Sequence, residues 1–176
     1  PPLFQAEDGI RDPDHSLVGS EMCIRDRAES ADGTLWIATS MNGLFRVNEK
    51  KGVYKNYRID ALDNFGIASD NLRVVFESSD GTIWIGHNGA GLNRMDVNNE
   101  TFTHYTMNSS DPSSLSFNVV FSIYEDNDKN IWIGTYGGGL NCLDPSTGNF
   151  TVYAHDPNIP SSISNNRIRC IYEDQQ

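Results

Sequence analysis

The sequence predicts an all-β fold, a partial β-propeller of four-stranded antiparallel blades with a 48-residue period and an incomplete ring. Three observations predict it. A tryptophan-centred octet recurs as DGTLWIAT at 32–39, as DGTIWIGH at 80–87 and, in worn form, as DKNIWIGT at 128–135. Trp36, Trp84 and Trp132 stand 48 residues apart, and Leu44, Leu92 and Leu140 keep the same step, as do Tyr57, Tyr105 and Tyr153. Within each period the apolar residues fall in short runs divided by turn signals, with no helical stripe, which excludes helical repeats.

Each element of one period has a local reason. LRVVFES at 72–78 is bulky and β-branched and predicts a first strand. SDGT at 79–82 is a tight-turn signal, its Asp-Gly suited to positive φ. TIWIGH at 82–87 predicts the second strand, NGAG at 88–91 a glycine-rich turn, and LNRMDV at 92–97 a third strand alternating apolar and polar. NNET at 98–101 turns again, FTHYTM at 102–107 predicts the fourth strand, and NSSDPSSLS at 108–116 is a longer polar connection. A lone blade has two apolar faces and cannot bury both; stacking blades around an axis does so. Each indole covers about 150–250 Å² in such a contact, about 4–6 kcal/mol by transfer of apolar surface. Trp36, Trp84 and Trp132 are therefore expected as packing between blades, in a repeated core with the three leucines and three tyrosines, rather than as a binding site.

Residues 28–68 read as one blade lacking its first strand, 69–116 and 117–164 as complete blades, and 165–176 as the start of another. A closed ring needs about four to eight blades, so the chain is expected to be a fragment cut at both ends, with further blades of the same protein as its neighbours. Residues 1–27 look foreign. QAEDGIRD at 5–12 back-translates to a sequence resembling the index-side flow-cell adapter of short-read DNA sequencing, and SLVGSEMCIRDR at 16–27 to one resembling the transposon-end primer joined to it. Both share one reading frame and the right order, so the leader is set aside from fold reasoning and the native segment is expected to begin near Ala28.

A formal net charge of −11 opposes binding to a phosphate backbone, so no nucleic acid is expected as a partner. No apolar run is long enough to cross a membrane. Cys23, Cys142 and Cys170 lack metal-type spacing, and His87, His104 and His155 share no repeat position, so neither a metal nor another cofactor is expected. Cys142 and Cys170 read as small apolar fillers, with a disulfide between them open in an oxidising compartment. The glycine-rich turns lead from strand to strand, whereas a phosphate loop needs a helix behind it. Glu125-Asp126 and Glu173-Asp174 recur with the repeat and read as solvated, turn-forming carboxylates, so no catalytic residue is expected.

The stretch YEDNDKNIWIGTYGGGLNCLDPSTGNFTVY at 124–153 resembles the two-component regulator propeller repeat: an acidic residue, Leu/Ile-Trp-Ile-Gly-Thr, Gly-Gly-Gly-Leu, then Asp-Pro with Gly and Phe. Departures are mild. Lys129-Asn130 replaces a Gly-Asn turn, Ala38 stands where Gly86 and Gly134 do, and Asn42 and Ala90 stand where the glycine-rich turn has Gly138. The resemblance implies paired seven-bladed propellers in the periplasmic sensor region of hybrid two-component histidine kinases, common in gut Bacteroidetes. These are followed by a β-sandwich, a membrane helix and kinase and receiver modules. It further implies a homodimeric full-length protein and an oligosaccharide ligand. No kinase motif is present in the chain, so it is expected to be non-catalytic itself.

In a meander, alternate connections emerge on one face. The turn at 87–91 and the long connection at 108–116 share a face opposite the turns at 78–82 and 97–101, and longer connections more often carry function. The first turn differs between units, as 40–42, 88–90 and 136–138. His87, Asn88 and Tyr136 are the candidate sugar contacts, because amides hydrogen-bond hydroxyls and aromatic rings stack on sugar faces. Two rivals stay open: a propeller enzyme such as a glycosidase or lyase, and a structural interaction propeller.

Overall fold

The computed structural model describes residues 23–63 and 65–174; residues 1–22, most of the foreign-looking leader, lie outside them. Three four-stranded antiparallel meanders follow one another along the chain. The first blade holds β1 (Ile24–Glu29), β2 (Leu35–Thr39), β3 (Leu44–Asn48) and β4 (Val53–Tyr57). The second holds β5 (Leu72–Glu77), β6 (Ile83–His87), β7 (Leu92–Asp96) and β8 (Thr101–Tyr105), and the third β9 (Val120–Glu125), β10 (Ile131–Thr135), β11 (Leu140–Leu143) and β12 (Phe150–Tyr153). The first strands β1, β5 and β9 lie side by side, forming the inner edge of the stack. This is the predicted propeller architecture, with no closed ring among the described residues.

The turns form where their residues demand it. Between the first and second strands, the amide of Ser78 donates to the carbonyl of Thr82 at 3.0 Å and the amide of Gly81 to Ser78 at 2.8 Å, with Gly81 at φ 82°. The same loop recurs around Gly33 (φ 80°); in the third blade the non-glycine Lys129 takes φ 69°, a conformation unfavourable for a side-chain-bearing residue. At the glycine that opens each third strand, Gly43, Gly91 and Gly139 sit at φ 71–83°. A Cβ there would collide with the carbonyl oxygens of Tyr57, Tyr105 and Tyr153 respectively, which explains the fixed Gly-Leu pair.

Blades bury their faces against each other. Between blades one and two lie Trp36, Leu44, Tyr57, Ile67, Leu72, Val75, Ile83, Ile85, Met95 and Phe102. Between blades two and three lie Trp84, Leu92, Tyr105, Leu115, Val120, Ile123, Ile131, Ile133, Leu143 and Phe150. One set maps onto the other by the 48-residue step. Trp36 and Trp84 are 1% and 2% exposed. Tyr57 stacks on Trp36 at 6.4 Å and meets Phe102 edge-on at 5.7 Å; Tyr105 repeats this with Trp84 at 6.2 Å and Phe150 at 5.7 Å. Packing between blades is thus what Trp36 and Trp84 do. Trp132 is half-buried, Leu140 likewise, and Tyr153 is 45% exposed, because no further blade covers their face among the described residues.

Three expectations are corrected. The first blade does not lack its first strand: β1 occupies that place, paired antiparallel with β2. It draws on residues 24–27, assigned above to the foreign leader, because ladder hydrogen bonds come from the backbone and accept any non-proline sequence. Residues 168–174 form no strand; the following unit is represented by a single bridge between Tyr136 and Arg167 and by the amide of Ile168 donating to the Thr135 carbonyl at 2.9 Å. A lone segment with no second strand beside it cannot extend the ladder. Glu125 is no free solvated carboxylate: it accepts from the Ser79 amide at 2.7 Å and hydroxyl at 2.9 Å, clasping blade three to blade two. Glu77 accepts from the Ser30 hydroxyl at the preceding boundary. The three cysteines are free.

Candidate functional site

The 87–91 turn and the long connection share one face, through hydrogen bonds that repeat in each unit. The amides of Gly43, Gly91 and Gly139 donate to the carbonyls of Asp70, Asn118 and Asn166 at 2.9–3.0 Å. The side-chain oxygens of the same three residues accept from the amides of Ile59, Met107 and His155 at 2.6–2.8 Å. The turn of one blade is thereby tied to the connection entering the next, giving a continuous surface at the inner edge.

The structure separates the three candidates. His87 is fully buried and is not a surface contact, which corrects the expectation for it. Its Nε2 pairs with Asn93 Oδ1 at 2.8 Å, and Asn93 Nδ2 pairs with His104 Nδ1 at 2.9 Å. Asn93 Oδ1 also accepts from the Ala68 amide at 3.0 Å, anchoring the long connection. His87 Nδ1 is buried without a hydrogen-bond partner. Desolvation holds the imidazole neutral and lowers its pKa to about 4, with the nearby His104 ring acting the same way and the Asn93 hydrogen bond opposing. Thr39 and Thr135 stand at this position in the other blades, each donating its hydroxyl to a turn carbonyl at 2.8 Å.

Asn88 and Tyr136 are brought together through two residues that sequence reasoning missed. Arg73 Nε donates to Asn88 Oδ1 at 2.9 Å, and its guanidinium lies 4.3 Å from the Phe121 ring centre. Phe121 packs on Tyr136 at 4.9 Å between centroids. Arg167 lies 4.8 Å over the other end of the row, on Tyr136. Asn88 and Arg167 are exposed, whereas Arg73, Phe121 and Tyr136 are half-buried. The available signal was a break in the repeat: Phe121 stands where Arg25 and Arg73 do, and Arg167 where Asn71 and Val119 do.

The opposite face carries grooves between blades. One of about 610 Å³ is bordered by Ser79, Arg94, Glu125, Lys129, Asn130 and Asp144, and a counterpart of about 250 Å³ by Ser30, Asp32, Trp36, Arg46 and Glu77. Their polar groups serve the scaffold. The indole N–H of Trp36, Trp84 and Trp132 donates to Ser30, Ser78 and Asp126, each six residues earlier, at 3.1, 3.2 and 2.7 Å. Arg46 and Arg94 lie over the Trp36 and Trp84 rings at 5.3 and 5.9 Å. Among the described residues, no helix is long and apolar enough to cross a membrane.

The inter-blade cores and co-facial turns define the chain as a run of β-propeller blades. Residues 114–137, which span Phe121 and Tyr136, match the family described as two component regulator propeller, so the resemblance read from the repeat is shown. No curated protein matches. Among solved structures, the chain is similar to the extracellular domain of a hybrid two component system, BT3049, from B. thetaiotaomicron, with TM-score 0.73 and 24% identity over 93% of this chain and 21% of that one. It is also similar to virginiamycin B lyase from Staphylococcus aureus, with TM-score 0.60 and 21% identity over 81% of this chain and 44% of that one. At these identities the likeness is one of fold. The chain spans about a fifth of the two-component domain.

Proposed function

We propose that the chain is a ligand-sensing part of the extracytoplasmic, periplasmic propeller of a hybrid two-component sensor kinase, and that its ligand is an oligosaccharide. The match of residues 114–137 to the two component regulator propeller carries the proposal. The fold shared with the extracellular domain of a hybrid two component system supports it. The ligand would lie on the face of the long connections, against Asn88 and Tyr136. The full-length protein would be a homodimer, and a ligand that binds one arrangement of the dimer better than the other would shift kinase output by that difference in affinity. The chain itself would turn nothing over.

The test is calorimetric titration of the chain with arabino-, galacto-, gluco- and galacturono-oligosaccharides, with product analysis after long incubation. Saturable binding without new products, weakened about tenfold by Tyr136→Leu, is expected, which is about 1.4 kcal/mol. Chain cleavage or elimination products would replace this function with that of a propeller enzyme, and no saturable binding by any sugar would remove it.

A further inference from the structure

The row on the candidate face has two cationic ends. Arg73 caps Phe121, Arg167 caps Tyr136, and the two rings between them are in contact. Among the described residues, neither arginine forms an ion pair, although the chain carries a net charge of −11. Apart from the bond between Arg73 Nε and Asn88, no guanidinium N–H of the two has an acceptor among those residues.

The repeat separates this row from the scaffold. Residues that blade packing requires recur every 48 positions, as the two inter-blade cores show. Phe121 and Arg167 do not recur, and Tyr136 has Ser40 and Asn88 as its counterparts. These departures cluster at the inner edge of blades two and three, where the row joins residues from three successive units.

We infer that Arg73, Phe121, Tyr136 and Arg167, with Asn88 at the edge, form a binding site for an acidic sugar, one bearing a carboxylate or sulfate; this rests on the oligosaccharide assignment above. Each part of the row has a matching function. A guanidinium offers paired, coplanar N–H donors that fit a carboxylate or sulfate. The aromatic pair, covered at both ends by guanidinium groups, spaces the two cations along the row. The Asn88 carbonyl is held by Arg73, which leaves its NH₂ to donate to a hydroxyl. The two rings, in contact with each other, hold both arginines in place, so less side-chain freedom is lost on binding.

Calorimetry of the full chain with trigalacturonate, its methyl ester and a sulfated carrageenan oligosaccharide tests the site. One acidic probe is expected to bind at least tenfold more tightly than the neutral ester, with affinity falling as salt rises; which acid binds distinguishes carboxylate from sulfate. Arg73→Gln and Arg167→Gln are each expected to lose about tenfold in affinity for the acid, with an unchanged denaturation midpoint for the exposed Arg167. Equal binding of acid and ester overturns the inference, as does full affinity in both variants, and in either case oligosaccharide sensing stands. Binding of none of the probes overturns it as well, and if the neutral sugars of the wider panel also fail, the sensing function goes with it. The comparison of acid and ester needs no variant, so a misfolded mutant leaves the test intact.

Discussion

The two boundaries between blades share one plan but differ in quality. Between blades two and three, the first strand of blade two contributes Val74 and Phe76 to the shared core. Between blades one and two, the same places are held by Asp26 and Ala28. Ala28 packs at the margin, and Asp26 Oδ2 accepts from the Val75 amide of the next blade at 3.0 Å. Burial raises the Asp26 pKa, against the hydrogen bonds from the Val75 and Arg27 amides and the Arg27 charge. The ten core positions named above correspond pair by pair across the two boundaries. Strand pairing therefore needs only backbone, whereas packing of the inner strand needs the right side chains. β1 has the first and lacks the second.

The largest break in the comparison comes from removing an indole. Trp84→Ala is expected to cost about 3–5 kcal/mol, and Trp132→Ala about half that, because Trp132 is only half-buried. Urea denaturation of both variants checks the difference; equal losses would show that the indoles do not work through blade contacts.

Next comes His87, where blade two departs from its neighbours. Its folded pKa of about 4 lies below the ordinary 6.5. Between those values the unfolded chain binds a proton that the folded chain refuses. Stability is therefore full above pH 6.5 and falls as pH drops towards 4, by about 3 kcal/mol. His87→Thr, which copies the other two blades, is expected to flatten this slope in denaturation series at pH 7 and pH 4.5. An unchanged slope would place the acid sensitivity elsewhere.

The smallest effect sharpens the comparison at β1. A raised folded pKa means that Asp26 contributes no penalty below 3.8 and an increasing one as pH rises through its folded value. Asp26→Asn keeps an acceptor for Val75 and removes the charge, so it is expected to raise stability at pH 7 and leave it unchanged at pH 3. A gain equal at both pH values would point to packing rather than charge.

Most of the fold was legible in advance. The four strands of blade two, the turns at Gly33 and Gly81 and the two buried tryptophans follow from local chemistry repeated at a fixed step. The site was legible only in part. Asn88 and Tyr136 stood out because the turn varies, but His87, picked on the same ground, points inward to Asn93. It is the last residue of β6, paired with Leu72, so it belongs to the ladder end rather than to the turn, and one position decides that. Arg73, Phe121 and Arg167 looked like ordinary strand residues, and their mismatch with the repeat gained meaning only once they were neighbours.

By itself the sequence determined the four-strand plan of a blade, the turn geometry and the core positions that repeat from blade to blade, because these depend on residues a few places apart and on a pattern that each blade presents to the next. Tertiary structure alone decided that a poorly matched segment would serve as β1, that Glu77 and Glu125 would clasp adjoining blades, and that two arginines and two aromatic rings would form one row. Those partners lie in different units, and only the angle and offset at which whole sheets stack can bring them together.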